Sequence, residues 1–189
     1  MNGGRNGSQE FDDLGVSALG IHGREPRAHA LPHLGRQGRE GGVQERRPTL
    51  QAIAAAEQVH ATNHFHAIGG ETGAASVAAS GIFGDNSTAD NLRGAIEGEL
   101  GEVEQMYPVY LNAAEFQNEP DARRSFHGAL EAEKQHAALY QQALEAVLQG
   151  KDVELGTIYI CPVCGYTVVG DAPERCPVCG APRETFLKF

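Results

Sequence analysis

Three pairs of carboxylate or imidazole side chains, each set on an apolar helical stripe, constrain this chain of 189 residues more than any other feature of it. Glu133 and His136 stand three apart in Leu130-Glu-Ala-Glu-Lys-Gln-His136, and on a helix that spacing aims both side chains the same way. The pattern Ala-Glu-x-x-His occurs again as Ala56-Glu57-Gln-Val-His60, and a related Glu99-Leu-Gly-Glu102 lies between the two copies. In each pair a Glu interrupts a hydrophobic face. Leu50, Ile53, Glu57, His60 and His64 are spaced three and four apart, as are Leu92, Ile96, Glu99, Val103, Met106 and Tyr110. Phe126, Leu130, Glu133, Ala137, Tyr140, Leu144 and Val147 repeat the period. An unpaired carboxylate in an apolar seam costs roughly several kcal/mol or takes up a proton. Helices that each tolerate one at mid-length therefore ask for a shared cation. Four-helix bundles that bind two iron or manganese ions are built this way: two helices give Glu-x-x-His and the other two at least one Glu each, all pointing inward. The spacing supplies three of those four helices.

A lone Glu-x-x-His is commonly a solvated surface pair, so it is the repetition that points to metal. His64, His66 and His127 lack such company and read as ordinary polar or partly buried residues. Tyr107, five residues after Glu102, is placed either to hydrogen-bond a metal carboxylate or simply to pack. Pro108 removes a backbone donor and is expected to kink or loosen its helix. Ser87 or Asp90 is a candidate cap for the middle helix, Pro120 a first-turn residue of the next, and Gly150 its end.

The C-terminal segment carries a second metal signature. Cys161-Pro-Val-Cys164-Gly and Cys176-Pro-Val-Cys179-Gly, with eleven residues between them, form matched knuckles whose thiolates can converge on one tetrahedral ion. Ile158 to Ile160 and Tyr166 to Val169 are β-branched or aromatic and fit short strands around it. A unit of about 35 residues has too small a core to fold without such a staple. Zinc and iron accept the same four sulfurs. The cysteines alone favour a structural zinc ribbon; beside a di-metal helical site, one-electron iron becomes the better reading.

The net charge of −10 and sequence pI near 5.2 argue against nucleic acid or an anionic membrane as partner. No apolar run approaches the ~18 residues of a membrane helix. The first residues have no apolar secretory core, so the cytoplasm is expected, and clustered Cys-x-x-Cys pairs there mean metal rather than disulfides. Residues 1–48 differ from the rest, with ten of the 24 glycines, seven arginines, and no lysine or tyrosine. No helical or strand period persists through them, and they read as poorly folded.

From about Gln51 to Phe189 the chain resembles the rubrerythrins. The resemblance is carried by Ala56-Glu-Gln-Val-His60, Asn91-Leu-Arg-Gly-Ala-Ile-Glu-Gly-Glu99-Leu-Gly-Glu102, Met106-Tyr-Pro108, Glu131-Ala-Glu-Lys-Gln-His136 and the two Cys-Pro-Val-Cys-Gly knuckles. It implies a mainly α fold, a ferritin-like four-helix bundle at 49–150 followed by a small β rubredoxin-like domain at 155–189. It also implies a cytoplasmic peroxide reductase, with non-haem di-iron in the bundle and one iron on four thiolates. Glu57, His60, Glu99, Glu102, Glu133 and His136 match di-iron ligand positions, and Tyr107 a tyrosine behind them. Cys161, Cys164, Cys176 and Cys179 match the mononuclear iron ligands. Hydrogen peroxide is the implied substrate, and a rubredoxin or an NAD(P)H-dependent reductase the implied electron donor. The centres of a single subunit are expected to lie far apart, with head-to-tail homodimers bringing them together. The competing classes are a ferritin-like iron oxidase or store and a non-catalytic zinc-ribbon interaction protein.

The family's first helix, with its own Gly-Glu-Ser ligand motif, is not visible in residues 1–48. With suitable synonymous codons, the bases encoding Arg36 to Leu50 read one base later specify an amphipathic helix. The same shift turns Gly23-Arg24-Glu25 into Gly-Glu-Ser. This segment therefore reads as an out-of-frame translation that leaves the bundle one carboxylate short; a divergent, disordered N-terminus is the competing reading.

Overall fold

The computed structural model describes residues 46–70, 72–74, 86–153 and 155–189. The readings made of residues 1–48, including the missing first helix and the frame shift, concern a segment that lies almost wholly outside them.

The first described helix, α1, runs Arg46–Ala67, and Gly69 in the left-handed region (φ 73°) turns the chain after it. Helix α2, Thr88–Gly101, is capped by Ser87, whose hydroxyl accepts from the Asp90 backbone N–H at 3.2 Å. The Ser87 hydroxyl also donates to the Asp90 carboxylate, which it holds below the usual carboxylate range, with Arg93 adding to the effect. A π-helical turn, Glu102–Met106, joins α2 to α3, Tyr107–Phe116. The expected loosening at Pro108 takes this form. Without a proline N–H no bond can close onto the Glu104 carbonyl in α register, and the preceding N–H, of Tyr107, reaches back to Glu102 O instead. Asn118 in the left-handed region (φ 58°) reverses the chain, and Pro120 opens α4, Pro120–Leu148. Gly150 (φ 66°) ends α4.

Helix α4 packs along α1, α2 and α3. Apolar side chains meet in two layers separated along the helices. One layer holds Leu50, Ile53, Ala56, Leu92, Leu139 and Tyr140. The other holds Tyr107, Ala114, Ala122, Phe126 and Ala129. On α4 the Glu and His positions fall between the two layers, and on α1 and α2 they follow the residues of the first layer, so local amphipathicity puts the polar groups at mid-height.

The small C-terminal sheet has order β2-β1-β3, with β1 Ile158–Ile160, β2 Thr167–Val169 and β3 Leu187–Lys188, all pairs antiparallel. Strand β3 has no local sequence signature and is created by its pairing with β1. The knuckles repeat one another: Gly165 N–H donates to Cys161 O at 2.9 Å and Gly180 N–H to Cys176 O at 2.8 Å. Both glycines are left-handed, at φ 78° and 79°, a conformation that side chains strain to adopt.

This domain does not hang free. Ile158 and Ile160 join the first apolar layer of the bundle, β1 packs on α1 and β2 on α4. The Asn63 side-chain amide donates to Val163 O at 2.8 Å. A Cβ on Gly128 would lie 3.2 Å from Cys164 Cβ, so the absence of a side chain there lets the first knuckle settle onto α4. The expectation that the two centres of one subunit lie far apart is therefore not met: the knuckle reaches the bundle within one chain, because the apolar face of β1 has its complement there.

Candidate metal centres

Between the two apolar layers, Glu57 of α1, Glu99 of α2, and Glu133 and His136 of α4 each offer a ligand atom, all within 4.8 Å of one another, and all four residues are buried. His136 Nδ1 stands 2.7 Å from Glu133 Oε2 and 3.4 Å from Glu57 Oε1. His60 joins from the α1 side, its Nδ1 3.3 Å from Glu133 Oε1 and 3.6 Å from Glu57 Oε2. The two imidazole rings are 6.1 Å apart between centroids. Glu102 is buried in the π turn and its charge acts on both Glu99 and Tyr110, but it is not among the four tightly grouped donors.

The electrostatics of the group favour a cation. Burial, followed by the charges of Glu133 and Glu57, pushes the Glu99 carboxyl well above the usual carboxylate range. Burial pulls the His136 imidazole down, yet the hydrogen bond and charge of Glu133, with Glu57 behind, outweigh it and hold its pKa at about 10. Without metal, protons stand in for the missing positive charge. Three carboxylates and two imidazoles in a dry seam suit a hard or intermediate cation, and the donor set fits iron.

Tyr107 is fully buried, and its hydroxyl lies 3.3 Å from His64 Nε2. His64 Nδ1 meets Ser125 Oγ at 2.6 Å, with the Phe126 ring alongside. His64 is thus not an ordinary polar residue but a buried link between α3 and α4. The one signal for it in the sequence is its place on the α1 stripe, one turn beyond His60. His66 and His127 are exposed.

The four sulfurs form the second group, again within 4.8 Å of one another. Cys161 and Cys179 Sγ are 3.5 Å apart, and Cys164 and Cys176 Sγ 3.6 Å. A tetrahedron with metal–sulfur bonds of about 2.3 Å has edges of about 3.8 Å, so the cage fits zinc or iron with little adjustment. Its thiols already share protons. The hydrogen bond between Cys164 and Cys161 lowers Cys161 to about 5 and raises Cys164, while burial raises Cys179 to about 11.

The two groups touch. An ideal Cβ on Gly165 would fall 2.1 Å from His60 Nε2, so only glycine lets the knuckle backbone lie on this imidazole. Thr167 Oγ1 is 2.8 Å from His136 Nε2. Neither Gly165 nor Thr167 stands out in the sequence as a site residue.

Two family models match, rubrerythrin over residues 34–144 and the rubrerythrin rubredoxin-like domain over 159–187. The chain belongs to the rubrerythrin family. It is 43% identical to rubrerythrin-2 of Clostridium acetobutylicum over 169 residues, covering 89% of this chain and 85% of that protein. To nigerythrin of Nitratidesulfovibrio vulgaris it is 30% identical, over 87% of this chain and 81% of the relative. The fold superposes on nigerythrin solved in a mixed-valence state with a TM-score of 0.74 and 23% identity, covering 100% of this chain and 90% of that one. The rubrerythrin match begins at residue 34, ahead of Gln51 where the motif-borne resemblance starts. The family is one of iron-binding oxidoreductases, and the chain has its ferritin-like helical part and rubredoxin-like four-cysteine domain. No helix among the described residues is long and apolar enough to cross a membrane.

Proposed function

We propose that the chain is a peroxide reductase, in which a di-iron site in the helices reduces hydrogen peroxide with electrons relayed through a mononuclear iron on Cys161, Cys164, Cys176 and Cys179. The observation that carries this reading is the contact between the centres, with Gly165 on His60 and Thr167 on His136. A site that must be recharged one electron at a time gains from a redox centre one residue from its own ligand. An iron store needs no such neighbour, and a zinc ribbon serving as an interaction module has no reason to sit on buried carboxylates.

Glu57, His60, Glu99, Glu133 and His136 would hold the iron pair, with Glu102 at hand from the π turn. Iron, when bound there, supplies the two electrons that cleave the O–O bond and the Lewis acidity that polarises it. The balance is one peroxide, two electrons and two protons giving two waters. The buried carboxylates offset the metal charge, and the apolar layers above and below keep bulk water from the site. Tyr107, fixed by His64, orients a carboxylate of the site. A rubredoxin or an NAD(P)H-dependent reductase supplies the electrons, the protein acts as a homodimer, and four free thiols suit the reducing cytoplasm.

Steady-state assay of the iron-loaded protein with an electron-donor protein tests the reading. Peroxide consumption matched by two electrons each is expected, with the iron content fixed at a few ions per chain. Iron accumulating far beyond that on ferrous addition, with little peroxide turnover, would mark the iron store instead. A colourless, zinc-filled four-cysteine site in protein from iron-replete cells would favour the ribbon.

A further inference from the structure

We infer that Thr167, on the rubredoxin-like domain, is a positioning residue for the helical metal site, fixing which nitrogen of His136 faces the metal. The inference rests on the proposed iron site and adds a residue to it. Thr167 is fully buried in β2, and its hydroxyl meets the His136 ring.

The direction of each hydrogen bond follows from counting hydrogens. A threonine hydroxyl has one hydrogen and two acceptor lone pairs. The Thr167 hydroxyl donates its hydrogen to Gly165 O at 3.2 Å. With that hydrogen assigned to Gly165 O, the Thr167 oxygen is left to accept from His136 Nε2, 2.8 Å away, which assigns the ring proton to Nε2. The other nitrogen, Nδ1, faces Glu133 Oε2 at 2.7 Å and Glu57 Oε1 at 3.4 Å. A ring whose Nε2–H is committed to Thr167 presents the Nδ1 lone pair to a cation held by these carboxylates. A partner on the far nitrogen of a metal-binding histidine sets its tautomer, its orientation and its basicity. What is unusual is where that partner sits, since the carbonyl that orients it is Gly165 O, on the residue packed against His60 and next to Cys164 in the chain. The knuckle that would carry the electron-relay iron thus also aligns a ligand of the site that would receive the electrons.

Thr167→Val keeps the shape and the strand preference but has no hydroxyl, whereas Thr167→Ser keeps the hydroxyl. In the full-length protein the red absorbance of the four-cysteine iron reports, for every variant, that the small domain is folded. Affinity for ferrous iron at the helical site, measured by competition with a chelator, is expected to fall about 10–100-fold in Thr167→Val and to stay within about threefold of wild type in Thr167→Ser. With zinc at the helical site, nitrogen-15 spectra of the histidines are expected to show His136 protonated at Nε2 and ligated at Nδ1 in the wild type and the Ser variant. That single tautomer should be lost in the Val variant. Wild-type affinity with an unchanged His136 tautomer in Thr167→Val would overturn the inference, as would equal weakening in both variants. A wild-type chain that binds no metal at the helical site would overturn the di-iron reading itself. That failure is visible from metal content before any variant is made.

Discussion

Glu133 and Glu57 each face both imidazoles, and Glu133 does so at the shorter distances, with Oε2 2.7 Å from His136 and Oε1 3.3 Å from His60. Glu133→Ala is expected to abolish iron binding in the helices and peroxide reduction, while the four-cysteine centre keeps its colour; undiminished turnover would refute the site. The residue-level titrations give a second prediction. In the metal-free protein His136 is raised from 6.5 to about 10, so its contribution to folding is complete below the unfolded value and is lost as pH rises through the folded one. Glu99, also raised, works in the same direction from a lower pH. Metal binding displaces these protons and so strengthens as pH rises. The gap in Tm between protein with and without helical-site metal should therefore widen from about pH 6 to about pH 9. A gap that narrows would mean the groups are not protonated when empty. Glu57, Glu99 and Glu133 stand out in the sequence because each breaks the hydrophobic period of its own helix, and the structure groups them with His136. His64 and Thr167 carry no such signal, because their roles need a partner from another element: Ser125 and Tyr107 for one, His136 for the other.

At the scale of elements, the π turn and the docked knuckle both lie beside the helical site. Pro108 signalled the first, though only as a loosening; its outcome, a wider turn holding Glu102 inward, depends on where the neighbouring N–H groups find acceptors. Pro108→Ala restores the missing donor and is expected to stabilise the helix by about 1–3 kcal/mol while weakening metal binding, as Glu102 swings with the tightened turn. Thermal unfolding and iron titration on the same sample check both signs. The knuckle depends on Gly165. Gly165→Ala combines strain at φ 78° with a clash against His60, so the small domain should lift from the bundle. Faster amide hydrogen exchange along β2 and the His60 turn of α1, with the four-cysteine colour retained, is the expected signature; unchanged exchange would show that the contact yields by other means.

For the whole molecule, the order of parts could be read from the sequence, a helical metal bundle followed by a four-cysteine domain, because each carries a metal signature of fixed spacing. Their mutual placement could not, since no motif records that Ile158 and Ile160 complete the apolar layer of Leu50 and Leu139. In the proposed reaction, that placement makes one working unit of the two metal sites. Stopped-flow mixing of the fully reduced protein with one equivalent of hydrogen peroxide, followed through the returning absorbance of the ferric four-cysteine centre, tests this most directly. The absorbance is expected to return within the time of a single turnover, at a rate independent of protein concentration, and to return far more slowly in Glu133→Ala. Reoxidation equally fast without Glu133 would contradict an electron path from the cysteines to the helical site.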